Sequence, residues 1–210
     1  MTVLAVSVAG SALLAGCGSS TAASPAPAPT TVVGTSSPPG QPSSSPPLPV
    51  ATELNPPGDI PDTRAYVRYA STPAGFTIKV PEGWARTNVG SEIVFSDKLN
   101  SIAVSQASSS AAPTTASILA NLVPTLSSSI SKFHFTGVQA VQRGAGPAVL
   151  VTYQQDSAVD PVTNKVVRDS VERYLFWHAG RLVTVILTGP LGADNVDPWR
   201  KVTDSLSWTS

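Results

Sequence analysis

Gly75-Phe76-Thr77-Ile78-Lys79-Val80-Pro81-Glu82-Gly83-Trp84 is the stretch on which the reading of this chain turns. Phe76, Ile78 and Val80 alternate with Thr77 and Lys79 at period two, the pattern of a strand with one buried face. Pro81-Glu82-Gly83 carries the turn chemistry that ends such a strand, and Trp84 follows. Working outward, Tyr66-Val67-Arg68-Tyr69 predicts an edge strand before it. Ile93-Val94-Phe95 and Ile102-Ala103-Val104 predict two short strands after it, joined through the polar residues 96–101.

From Thr114 the period changes. Ile118, Leu122, Leu126 and Ile130 recur every four residues with Leu119 and Val123 beside them, which predicts a helix of about 17 residues with one apolar stripe. Thr114 or Thr115 suits its N-cap. Pro124 falls inside the stripe, where a missing N–H and a ring clash predict a kink or a break. Beyond the helix, Val138–Gln142, Pro147–Gln154, Val166–Trp177 and Arg181–Leu187 predict an antiparallel meander, with turns at Asp160–Asn164 and Ala179-Gly180. Val183, Val185 and Leu187 oppose Leu182 and Ile186, and Val149, Val151 and Tyr153 oppose Leu150, so the sheet is expected to be covered on both faces. A final helix over Val196–Leu206 is expected to present Val196, Trp199, Val202 or Thr203, and Leu206 to the core, with Asp194 or Asn195 near its cap.

Composition divides the chain of 210 residues. Eleven of the 20 prolines lie in residues 18–60, and the first aromatic is Tyr66. Such a segment lacks the apolar mass to offset its ordering entropy, so one folded domain is expected over 64–210. That region holds all 13 Lys and Arg against 10 acids, a formal charge of +3. This is far from the strongly basic face of a nucleic-acid binder, and no nucleic-acid partner is expected. One Cys excludes an internal disulfide framework. With only His134 and His178 beside it, no four-ligand zinc site can be assembled.

The remaining signals lie at the N-terminus. Residues 3–16 form a short apolar run, too brief to span a bilayer but suited to the h-region of a signal peptide. It ends at Leu14-Ala15-Gly16-Cys17, which resembles the bacterial lipobox. That resemblance implies cleavage after residue 16, acylation of Cys17 and, through its acyl chains, anchoring on the outer face of the cell membrane. Met1-Thr2-Val3 has no basic n-region, so a start upstream is expected. Residues 17–63 would then be the acylated Cys and a Ser/Pro-rich tether, roughly 35–40 Å in reach as a flexible coil.

No motif of catalysis is present: G-x-S-x-G, H-E-x-x-H and both glycine-rich phosphate signatures are missing. Gly144-Ala145-Gly146-Pro147 fits a turn before a strand better than a phosphate loop. Asp156, Asp160 and Asn164 miss the alternate-residue spacing of a calcium loop. No catalytic residue, metal or cofactor is expected, and the chain is not expected to be an enzyme. The stripe Leu122, Leu126, Ile130, continued by Phe133 and Phe135, is expected to wall an apolar ligand groove.

Taken together, the lipobox, the tether, Gly75–Trp84, the Thr114–Ile130 helix and a terminal Trp199–Trp208 helix resemble the mycobacterial lipoproteins of the LpqN/LpqT type, nearer their LpqT branch. The resemblance runs from about Tyr66 to the end. It implies an α+β, PsbP-like α/β/α sandwich with a central, mainly antiparallel sheet covered by helices. It also implies a non-enzymatic role in the cell envelope, binding acylated glycolipid or envelope lipid-export proteins. The alternative is an adaptor that docks on envelope transporter proteins and takes no small ligand.

Overall fold

The computed structural model describes residues 57–71 and 74–209; Cys17, the apolar run ahead of it and the tract up to residue 56 lie outside the described residues. Of residues 57–63, Ile60 is 6% exposed and belongs to the main core.

The mixed α+β fold is mostly sheet. Seven strands form one fully antiparallel sheet in the order β3-β4-β5-β9-β8-β7-β6: β3 (Ala85–Val89), β4 (Glu92–Asp97), β5 (Asn100–Ser108), β6 (His134–Arg143), β7 (Gly146–Asp156), β8 (Arg168–His178) and β9 (Arg181–Pro190). β6 to β9 are the expected meander. β3 carries Arg86, Thr87 and Asn88 and is exposed throughout, so no apolar alternation announced it. The β4–β5 connection is shorter than expected, because β4 and β5 pair down to Asp97↔Asn100 and leave Lys98 and Leu99 as the loop. Ala179 and Gly180, with φ of 47° and 80°, make the tight β8–β9 turn.

The strand in the opening stretch is β2 (Phe76–Pro81), and it lies outside this sheet. It is the centre of a second sheet, β1-β2-β10, between β1 (Tyr66–Ser71) and the two-residue β10 (Ser207–Trp208). The expected terminal helix to Trp208 therefore stops early. The last helix, here α3, covers Val196–Asp204, and Trp208 pairs with Phe76 instead. Leu206, beyond the helix, is 1% exposed. Trp199, Val202 and Thr203 are buried as expected, but Val196 in the first turn is 70% exposed and makes no part of the core.

Two apolar clusters flank the large sheet. On one face Phe76, Ile78 and Val80 of β2 and Trp199 and Val202 of α3 pack on Ile102, Val104, Tyr174, Phe176 and Val183. On the other, the segment after Thr114 packs on Val149, Val151, Tyr153, Val171 and Leu175. Helices thus lie on both faces, as expected, but α3 shares its face with the small sheet, a layer that was not expected, and the other helical segment covers only part of its own.

Candidate ligand-binding site

The helical wall is built in three pieces: α1 (Thr115–Ser117), a π-helical stretch over Ile118–Leu122, and α2 (Val123–Ser129). Thr114 is the N-cap in a capping box with Ser117. The Ser117 N–H donates to Thr114 Oγ1 (3.1 Å) and the Thr114 N–H to Ser117 Oγ (3.0 Å). The Pro124 kink takes a specific form. The Val123 N–H reaches back five residues to the Ile118 carbonyl, so the widened turn sits immediately before the residue that has no N–H to give. A wide turn consumes an extra residue, and the 3.6-residue period does not carry through it. Leu119, expected beside the stripe, is accordingly 47% exposed.

Of the five residues expected to line a groove, Leu126 is buried in the cluster under the wall, and Leu122, Ile130, Phe133 and Phe135 are half-buried against it. They are one contiguous surface: Phe133 lies 5.2 Å from the Tyr153 ring, and Phe135 sits opposite Tyr153 in β6. The best-formed cavity of the described residues, about 440 Å³, lies elsewhere and is lined by Gly58, Ile60, Arg64, Trp84, Asp97 and Asn100. Three of these residues are tied into a polar knot by Asn195, which accepts the Ile60 N–H (2.8 Å) and donates to the Gly58 carbonyl (3.0 Å) and to Asn100 Oδ1 (3.0 Å). Asn195 stands at the N-cap position of α3 yet makes no cap bond, its amide being committed to this knot. The indole N–H of Trp84 is sealed from solvent and has no partner among the described residues.

Three further groups were not singled out by sequence reasoning. Tyr174 donates to Glu172 (2.7 Å) and accepts from Arg143 (3.0 Å); burial first, then Glu172, pushes its hydroxyl up to about 12, so it stays protonated and acts as a structural hydrogen-bond group. Asp169, 6% exposed, is raised to about 6 by burial and then by Asp156, with Arg168 opposing. Arg173 sits on the face of β8 that carries Val171 and Leu175, and its Nε is buried with no partner among the described residues. A donor left in that state costs about 1–3 kcal/mol. The only available signal was a cation between Val171 and Leu175 on an inward-facing row of β8.

His134 and His178 are exposed, His178 stacking 5.2 Å from Trp208. Asp156 pairs with Arg168 (3.1 Å), and Asp160 closes its own turn by accepting the Thr163 N–H (2.7 Å). Among the described residues no group of three or more His, Cys, Asp or Glu could hold a metal.

No family model matches the chain, and no curated protein does. Solved structures do. The solution structure of PsbP from the cyanobacterium Synechocystis superposes with a TM-score of 0.50 over 74% of this chain and 98% of that one, at 17% identity. The fold is PsbP-like. Weaker overlaps are found with the Ran-binding protein Mog1p of Saccharomyces cerevisiae (TM-score 0.43, 11% identity, 61% of this chain and 79% of that one). Another is with LpqN of Mycobacterium tuberculosis, described as involved in cell envelope biogenesis (TM-score 0.39, 14% identity, 74% and 91%). At these identities the PsbP match defines the fold alone. Among the described residues no helix is long and apolar enough to cross a membrane.

Proposed function

We propose that the chain is a non-enzymatic cell-envelope lipoprotein of the LpqN/LpqT type, on its LpqT side, held on the outer face of the cell membrane through an acylated Cys17. Its PsbP-like domain binds an acylated glycolipid or other lipid and assists lipid transport in the envelope. The observation that carries the binding half is the helical wall. Its hydrogen-bond ladder is interrupted at Ile118–Leu122 and Pro124, directly over the cluster of Val149, Val151, Val171 and Leu175. π-helical turns recur at functional sites, and a wall with a broken ladder lifts at lower cost than a continuous helix. An acyl chain would enter beneath it, with Leu122, Leu126, Ile130, Phe133 and Phe135 as the lining. The lipobox and the Ser/Pro tract support the anchoring half.

Native mass spectrometry of the full chain purified from a lipid-containing host tests the reading. A co-purified acyl ligand supports it; an empty protein refutes the binding half. Cys17→Ser tests the anchor, and detergent-phase partitioning equal to wild type would overturn it. The adaptor reading has one observation in its favour. Val159, Val162 and Val166 in the β7–β8 loop are 56%, 90% and 49% exposed, an apolar tip suited to protein contact. An empty chain that captures a transporter, and loses it on Val162→Asp, would favour that alternative.

A further inference from the structure

The wall covers only part of its face of the sheet. The cluster beneath it ends at Leu182 and Ile186 of β9, and beyond them β5, β4 and β3 continue the same face with partly or fully exposed residues. Register places one cross-strand row at the level of Arg173: Arg173↔Ile186, Ile186↔Ala103, Ala103↔Val94 and Val94↔Thr87. Between its ends this row is apolar. The neighbouring row runs Val171, Thr188, Ser101, Ser96 and Ala85, with three hydroxyls side by side. The result is an apolar track of three side chains, about 10 Å long over two inter-strand steps, bordered by hydroxyls and headed by one guanidinium.

Among the described residues that guanidinium has no counter-ion: Nε of Arg173 is buried without a partner, and no carboxylate lies within ion-pair distance. The 114–130 segment has no charged residue at all, and neither do the same-face positions of β9 and β5. Glu172 points to the opposite face, where it holds Tyr174, and Asp169 is two same-face positions away along β8. A cation partly removed from water among apolar neighbours gains from an anion placed against it. One planar guanidinium, offering a two-pronged fork, matches one carboxylate.

We propose that Arg173 and the Ile186–Ala103–Val94 track bind a single-chain fatty acid, the carboxylate on the guanidinium and the acyl chain along the track. This deepens the lipid-binding reading, on which it rests, by naming the ligand chemistry at the open side of the same wall. A neutral ester of the same chain meets the track but leaves Arg173 unanswered, so the site distinguishes acid from ester.

The test uses the full chain with 11-(dansylamino)undecanoic acid and its methyl ester, each titrated by fluorescence. The expected result is saturable binding with the acid at least tenfold tighter. Arg173→Gln brings the acid to the level of the ester, and Arg173→Lys, which keeps the charge but not the fork, retains part of the difference. Ala103→Trp blocks the track and weakens both probes. If Arg173→Gln does not fold, the wild-type comparison and Arg173→Lys decide. Equal affinity of acid and ester in wild type, or a tenfold preference that survives Arg173→Gln, overturns the proposal while leaving lipid binding under the wall intact. Absence of binding by either probe overturns both.

Discussion

Asp169 is a carboxyl placed where its charge is unwelcome. Burial and the nearby Asp156 raise it to about 6 in the fold, against 3.8 in an open chain. Between those values the folded form holds the proton more tightly, so stability falls as pH rises from about 4 to 6 and stays lower above it. At pH 7.5 the deficit is on the order of 1–3 kcal/mol. Asp169→Asn should therefore melt higher than wild type at pH 7.5 and level with it at pH 4; equal differences at both values would refute the assignment. Gly189 illustrates a constraint of space. A Cβ there would lie 2.5 Å from Asn100 Oδ1, 2.9 Å from Asn195 Nδ2 and 3.3 Å from the Trp199 ring. Those amides are already fixed by hydrogen bonds to each other and to Gly58, so they cannot yield. Gly189→Ala should cost about 1–3 kcal/mol in denaturant unfolding. Neither residue was legible beforehand. A carboxyl at a strand end and a glycine before a turn look ordinary until the opposite strand and helix are in place.

At the level of elements, the wall combines a firm floor with a weak frame. Leu126 is 5% exposed and joins the cluster of Val149, Val151 and Leu175, so Leu126→Ala should cost about 2–5 kcal/mol. Pro124→Ala acts on the frame. By restoring an N–H it should slow amide exchange over residues 118–124, and unchanged exchange there would remove the basis for a lifting wall. The apolar stripe and the Pro announced this helix and its fault, because both are local properties of consecutive residues. The π form was not announced, since a shift from four-residue to five-residue hydrogen bonding changes no residue type. Strands followed the same logic. β2, β7, β8 and β9 were legible through alternation or long apolar runs, while β3, solvent-facing and polar, is held in place by β4 and left no pattern.

For the molecule as a whole, sequence-local signals indicated an antiparallel sheet covered on both sides but not which strands belong together. Alternation marks β2 as a strand but not the sheet it joins, and it pairs with β1 and the C-terminal β10 in a separate layer. Pairing between residues 76–77 and 207–208 is set by long-range packing, to which periodicity is blind. The chain end is correspondingly structural: Trp208 donates to the Ala145 carbonyl (3.1 Å), the Thr209 N–H to that of Gly75 (3.0 Å), and Leu206 is 1% exposed. Deleting residues 206–210 should lower stability by at least the ~2–5 kcal/mol of one buried leucine, read as a shift of the urea midpoint. The Asn195 knot has a mechanical meaning as well. Tension arriving along the backbone at residue 57 meets the bonds to Gly58 and Ile60 before it reaches β1, an outer strand that would otherwise peel from β2 one pair at a time. In an optical trap pulling on residues 57 and 209, Asn195→Ala should lower the rupture force and bring unzipping of β1 forward as a separate early step. The two bonds from one amide to this segment thus act as a strain relief, keeping a tug at residue 57 from becoming a tear in the sheet.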